Sequence, residues 1–144
     1  MSAARRTPRE LGLGWREALV TRDARAFAGL FAPDGAMVDV EHRTADLEDV
    51  RPILGRDAIE ALALRWLDDT PAFEFDVLDV LANASTAAYR WRYQVAADGD
   101  RVEFAGITWL NCGDGHIRDA LVCFDSYRLL RRAGRVMPIA ATGP

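Results

Sequence analysis

Lysine is absent from this 144-residue chain, so all 18 of its Lys-plus-Arg positions are arginine. That absence excludes Schiff-base chemistry on a lysine and a phosphate-binding loop of the G-x-x-x-x-G-K type. Cysteine is scarce. Cys112 and Cys123 fall near facing ends of what read as neighbouring strands and are expected as two buried free thiols acting as small hydrophobes, with a disulfide between them as the alternative. The two histidines, His42 and His116, lie far apart and in loops, a spacing that makes no metal site. No apolar run is long enough to span a bilayer, and Met1–Arg6 lacks the apolar stretch of a signal peptide, so a cytoplasmic protein with no membrane partner is expected. Charge of one sign is not concentrated either. A net charge of −4 with mixed signs argues against a nucleic-acid groove, which needs a basic stripe.

Half of the residues are hydrophobic, which in a chain of this length predicts one domain, 1–144, with a real core. Thr7-Pro8-Arg9-Glu10 reads as a capping box with proline at the first helical position, opening a helix that carries Leu11, Trp15, Ala18 and Leu19 on one face. Asp23 caps a second helix expected to run through Phe27, Leu30 and Phe31 and to stop at Pro33. Ala36 to Val40 reads as a short strand whose apolar start, Ala36-Met37-Val38, leads to the carboxylate of Asp39. The polar stretch Glu41 to Pro52 is longer than a connector needs and reads as a lid or rim. Gly55-Arg56-Asp57 opens a third helix with Ile59, Leu62, Ala63 and Trp66 at helical spacing.

The period then changes to two. Phe73, Phe75 and Val77 alternate with Glu74 and Asp76, and the phase slips after Val77-Leu78, which predicts a bulge. Tyr89, Trp91 and Tyr93 alternate with Arg90, Arg92 and Gln94, and Asp98-Gly99 marks a hairpin. Two last strands, Val102 to Asn111 and Ile117 to Tyr127, join through Gly113-Asp114-Gly115. The fold class is therefore α+β: a strongly curved, mostly antiparallel sheet wrapped around three N-terminal helices, forming a cone with an internal cavity.

Three stretches carry a family resemblance: Arg22-Asp23-Ala24 through Leu30-Phe31-Ala32-Pro33-Asp34-Gly35, Leu54-Gly55-Arg56-Asp57-Ala58-Ile59, and Ile117 followed by Phe124-Asp125 before an Arg-Leu-Leu-Arg end. Over about residues 8 to 132 the chain resembles the cone-shaped α+β barrel superfamily named after nuclear transport factor two. That superfamily includes SnoaL-like polyketide cyclases, ketosteroid isomerases and limonene-epoxide-type hydrolases. Against the isomerases, the resemblance places the general-base aspartate on Asp39 and the tyrosine donor on Trp15. It places the second acid at Ile107 or Thr108, neither of which is a carboxyl. Trp109 and Phe124 fall on pocket phenylalanines. Against the epoxide hydrolases, the two catalytic aspartates fall on Val122 and Arg92, with Arg90 on the central arginine. SnoaL-like cyclases imply an acid in the final strand, for which Asp119 and Asp125 are candidates.

The resulting expectation is a cofactor-independent, metal-free cyclase or isomerase of a hydrophobic polyketide-like or polycyclic molecule. Asp39 acts as base, and Trp15, Tyr89 or Tyr93 donates to the developing oxyanion. Trp91, Trp109, Phe124, Val122, Ile107 and Trp66 form the wall, with His42 at the mouth. Asp39 could instead cap backbone amides at a strand end, and the aromatic triplet could be plain core. Arg90 and Arg92 are expected outside, beside Glu74 and Asp76, with an inward, substrate-orienting arginine as the alternative. The resemblance also implies a homodimer, for which Thr108, Leu110, Leu121 and Cys123 would cover an outer sheet face. A non-catalytic ligand-binding or dimerisation module and an epoxide-opening enzyme are the other functional readings.

Overall fold

The structure is a computed structural model describing residues 4–41, 52–97 and 99–124, with backbone only for 39–41, 97 and 100. Helix α1 (Pro8–Val20) begins at the capping box: Glu10 N donates to Thr7 Oγ1 at 3.2 Å and Thr7 N to Glu10 Oε2 at 2.7 Å. Two orphan amides are thereby satisfied. At the corner that follows, Arg22 takes a left-handed φ of 59°. Its guanidinium donates to the carbonyl of Thr70 at 3.0 Å and to that of Leu67, closing the end of α3 (Arg56–Asp69). Asp23 Oδ1 then accepts from Ala26 N at 2.8 Å and starts α2 (Ala24–Gly29).

Helix α2 is shorter than its apolar pattern predicts. It ends at Gly29, and Phe31 already belongs to strand β1 (Phe31–Glu41). Tertiary bonding overrides the helical period here: Ile117 N donates to Leu30 O at 2.8 Å and Arg56 Nε to Phe31 O at 2.8 Å. Pro33 lies inside the strand rather than before it. The ladder slips between Phe31 and Ala36, and within that irregularity a residue without an amide hydrogen leaves no ladder bond unmade.

A two-residue strand β2 (Ile53–Leu54) precedes α3, whose N-cap Gly55 has φ 85°. Strands β3 (Phe73–Ala82), β4 (Thr86–Ala97), β5 (Asp100–Gly113) and β6 (His116–Phe124) follow as an antiparallel meander. The six-stranded sheet has the order β2-β1-β6-β5-β4-β3 and is mixed, because β1 and β6 run parallel. Among the described strands it is not closed into a barrel, and β2 and β3 form its two edges. Helix α1 packs across β3 to β6, and α3 packs on α2 and β1, so the helices cover a single face.

The bulge in β3 sits where the sequence phase slips, with Val77 opposite Trp91 and Asp79 opposite Arg90. Asp114 and Gly115, at φ 53° and 79°, form the two-residue turn between β5 and β6, the left-handed pair that a tight hairpin needs. Arg92 meets Asp76 at 2.9 Å on the outer face as expected, but Glu74 stands opposite Gln94, and the bulge brings Asp79 in place of Leu78 opposite Arg90, at 2.6 Å. Glu74 pairs instead with Arg101 at 3.0 Å. Such exposed pairs contribute a few tenths to about 1 kcal/mol each.

The cysteines depart from expectation. Cys112 is half-buried, Cys123 is exposed, and both are free. Cys112 stands opposite Ile117 and Cys123 opposite Ile107, so they occupy opposite ends of the ladder, roughly 20 Å apart along the strands. That is far beyond disulfide reach. Burial, and then the Asp119 charge, push the Cys112 thiol up to about 11. Among the described residues no helix is long and apolar enough to cross a membrane.

Because Arg22 combines left-handed backbone with a capping side chain, its two contributions separate by substitution. Both Arg22→Ala and Arg22→Gly should unfold at lower urea than the parent. Glycine should be the milder by about 1 kcal/mol, since only alanine retains the left-handed strain.

Candidate functional site

A cavity of about 120 Å³ opens between the helices and the inner sheet face. Its helical side is formed by Trp15, Leu19 and Phe27 with Leu62, Ala63 and Trp66; its sheet side by Met37 of β1, Trp91 and Tyr93 of β4, and Val122 and Phe124 of β6. An engineered cavity of about 150 Å³ admits benzene, so this space holds about one ring.

Strand parity decides which side chains enter. On β4, Tyr89, Trp91 and Tyr93 are all buried, and the intervening arginines face out in their ion pairs. Trp91 and Tyr93 line the cavity. Tyr89 is 1% exposed but stands behind it, against α1: a Cβ on Gly12 would lie 3.3 Å from Tyr89 Cδ1. Trp15 bridges the two regions, its ring 4.6 Å from that of Phe27 and 6.2 Å from that of Tyr89. Trp66 is 5.3 Å from Tyr93, and Phe124 is 5.8 Å from Trp91.

Two expected wall residues lie outside. Ile107 and Trp109 are 53% and 48% exposed on the outer face of β5, with Leu121 and Cys123 beside them on β6. Thr108 and Leu110, expected on the outer face, are the buried ones, at 1% and 0%. The whole strand is one residue out of phase with the expectation, and the signal that fixes it lies upstream: exposed Arg101 and Glu103 set the odd positions toward water, so 107 and 109 follow. Asp119 also faces out and accepts from Asn111 Nδ2 at 2.8 Å. His42 and Asp125 lie outside the described residues.

Asp39 is described by its backbone alone, in β1 opposite Val122. Val122 is opposite Thr108, and Thr108 opposite Tyr89. Four residues, 39, 122, 108 and 89, thus form a single row across four strands.

Thr108 was not singled out as a cavity residue by its sequence, yet it is the one buried side chain of polar type among the described residues, and it lines the cavity. Its Oγ1 accepts from Trp91 Nε1 at 3.0 Å. The hydroxyls of Tyr89 and Tyr93 are buried and make no well-formed hydrogen bond among the described residues, only weak contacts with the side chains of Thr108 and Thr70. Burial pushes both phenols above their ordinary range, so they remain neutral donors at any physiological pH. No three His, Cys, Asp or Glu side chains come together as a metal cluster among the described residues.

Comparison with known proteins places this geometry. The SnoaL-like domain pattern matches residues 13–120. No curated protein matches. Among solved structures, a SnoaL-like protein of Jannaschia sp. CCS1 assigned as a polyketide cyclase is 15% identical, with 96% of this chain and 98% of that one covered at a TM-score of 0.73. A Catenulispora acidiphila DSM 44928 protein of ketosteroid isomerase-like fold, bound to trimethylamine, is 20% identical over 92% and 99% at 0.73. AclR of Streptomyces galilaeus, assigned as a hydroxylase, is 17% identical over 93% and 89% at 0.69. At these identities the likeness is one of fold.

The two raised phenols make stability depend on alkaline pH. Free tyrosine ionises near 10.0, so the contribution of the two buried rings is complete below that pH and is lost as pH climbs toward their folded values. Urea midpoints should fall above about pH 10, and the fall should be shallower in Tyr89→Phe and Tyr93→Phe.

Proposed function

We propose a reaction for a chain that belongs to the SnoaL-like domain family of the nuclear transport factor two-like superfamily: cofactor-independent cyclisation or isomerisation of a hydrophobic, polyketide-like molecule, one ring of which enters the cavity. The observation that carries this reading is the ladder position of Asp39. Met37, two residues before it on β1, is buried and lines the cavity, and Val122, opposite it on β6, lines it as well. Strand alternation therefore assigns position 39 to the same face.

Apolar surroundings strip hydration from a carboxylate and so make it a better base. Asp39 would take a proton from carbon or from a hydroxyl of the substrate. The wall offers neutral donors for the oxygen that gains charge: the Trp15 indole and the Tyr93 phenol directly, and Tyr89 only from the layer behind. Holding one ring between apolar walls orients the reacting atoms and keeps water from them. Epoxide opening by paired aspartates is not favoured, since Val122 and outward-paired Arg92 occupy the matching positions and Arg90 is bound to Asp79 on the far side of the sheet.

Homodimerisation through the outer face belongs to the same proposal. Trp109 stands between Ala88 and Leu121 in one row, and Ile107 between Arg90 and Cys123 in the next. Exposed apolar side chains set side by side in this way mark a surface for association.

Asp39→Asn should lower kcat by about 10²- to 10⁴-fold with an unchanged circular dichroism spectrum. Near-normal turnover in that variant ends the base assignment. Trp109→Glu should convert the dimer to a folded monomer in sedimentation; a parent protein that sediments as a monomer removes the dimer proposal.

A further inference from the structure

We infer that Trp91 is the residue that fixes how many rings the cavity admits, and that Gly106 gives it the place to lie. The inference rests on the cavity being the substrate site and is independent of which group acts as base. Even-numbered positions of β5 face inward, where Phe104, Thr108 and Leu110 present side chains to the core. Gly106 presents none. It leaves a gap in the cavity floor, and Trp91, opposite it on β4, fills that gap. A Cβ on Gly106 would collide with Cζ2 of the indole and lie 2.7 Å from its Cη2, so the benzo edge sits directly over the glycine. A glycine inside a strand marks such a close approach.

The indole is held there from both ends. Its Nε1 donates to Thr108 Oγ1 at 3.0 Å, and both residues are buried. Its ring is flanked by those of Phe75 at 5.4 Å and Phe124 at 5.8 Å, which also line the cavity. A swing of the side chain would strand a buried donor without its acceptor and open voids between close-packed rings, both of which cost free energy. Trp91 is therefore a fixed part of the floor and does not yield to a guest.

What the indole occupies is space that a guest would otherwise have. The cavity beside it, about 120 Å³, holds one ring. An indole is larger than the benzene that enters an engineered cavity of about 150 Å³, so its removal adds room for a second fused ring. A methyl group at position 106 has the opposite effect. It drives the benzo edge toward the helices and into the guest's space, because the carbonyl oxygen of Cys123, 2.6 Å from that Cβ, blocks relief on the β6 side. The guest class follows from this floor: an apolar monocyclic compound, or a larger one that inserts a single ring and leaves the next outside.

The test uses the full chain and two probes, phenol and 2-naphthol, with affinities from calorimetric titration. In the parent the two should bind within about threefold of each other, since the second ring stays outside. Trp91→Ala should shift that ratio toward 2-naphthol by about tenfold, because the second ring is then buried. Trp91→Phe, which keeps a ring against Phe75 and Phe124, should shift it the same way by about threefold, and it carries the test alone if the alanine variant does not fold. Gly106→Ala should weaken phenol about tenfold, and adding Trp91→Phe, whose shorter ring no longer covers position 106, should restore it. No readout involves turnover, so a failed base assignment leaves the test standing. The proposal is overturned if the ratio in the Trp91 variants stays at the parent value, if the parent already prefers 2-naphthol by about tenfold, if the double variant does not recover phenol binding, or if the parent saturates with neither probe.

Discussion

The parallel ladder between β1 and β6 is the join on which the cavity depends. It links the first strand of the chain to the last described one, and only through it does Met37 come to share a wall with Val122 and Phe124. Such a non-local pairing repays its loop-closure entropy late, so it needs local reinforcement where it begins. That is supplied by the Ile117-to-Leu30 bond at 2.8 Å and by Arg56 bonding Phe31 O from the first turn of α3. The same bonds end α2 early and admit Pro33 into a strand. An irregular ladder between Phe31 and Ala36 is the local cost of bringing the two ends of the fold together.

Features written into neighbouring residues were legible in the sequence. The capping box at Thr7, the cap at Asp23, the bulge after Val77 and the turn at Asp114-Gly115 all depend on side chains within a few positions of the backbone they shape. The end of α2 was not, because its last apolar residues, Leu30 and Phe31, suit a helix and a strand equally, and a partner far along the chain decides between them. Parity in β5 was legible but easily misread. Apolar residues occupy both faces from Ala105 to Leu110, so the stretch itself carries no alternation, and only Arg101 and Glu103 mark which side is wet.

Of the candidate site, the aromatic wall of β4 followed from period two alone, since Arg90 and Arg92 could not both be buried beside Tyr89 and Trp91. Which aromatic meets the cavity did not follow. Gly12 leaves room for Tyr89 against α1 and so withdraws it from the cavity, a contact between elements that no local pattern records. Thr108, expected on the outer face, was misplaced for a related reason. Its significance lies in the Trp91 indole it receives, and that in turn lies in a glycine on another strand. The tuning of the phenols is likewise a property of their surroundings: burial, rather than any neighbouring charge, dominates the raised pKa of Tyr89 and Tyr93.

Strand β3 ends the sheet with Glu74, Asp76 and Asp79 along it and a bulge between Val77 and Asp79. A rim that is kinked and carries charged side chains is a poor template for a foreign strand, because ladder bonds need a straight backbone and charged groups resist being covered. Fibre-like growth by strand addition is discouraged on that side, although the sheet was never closed into a barrel.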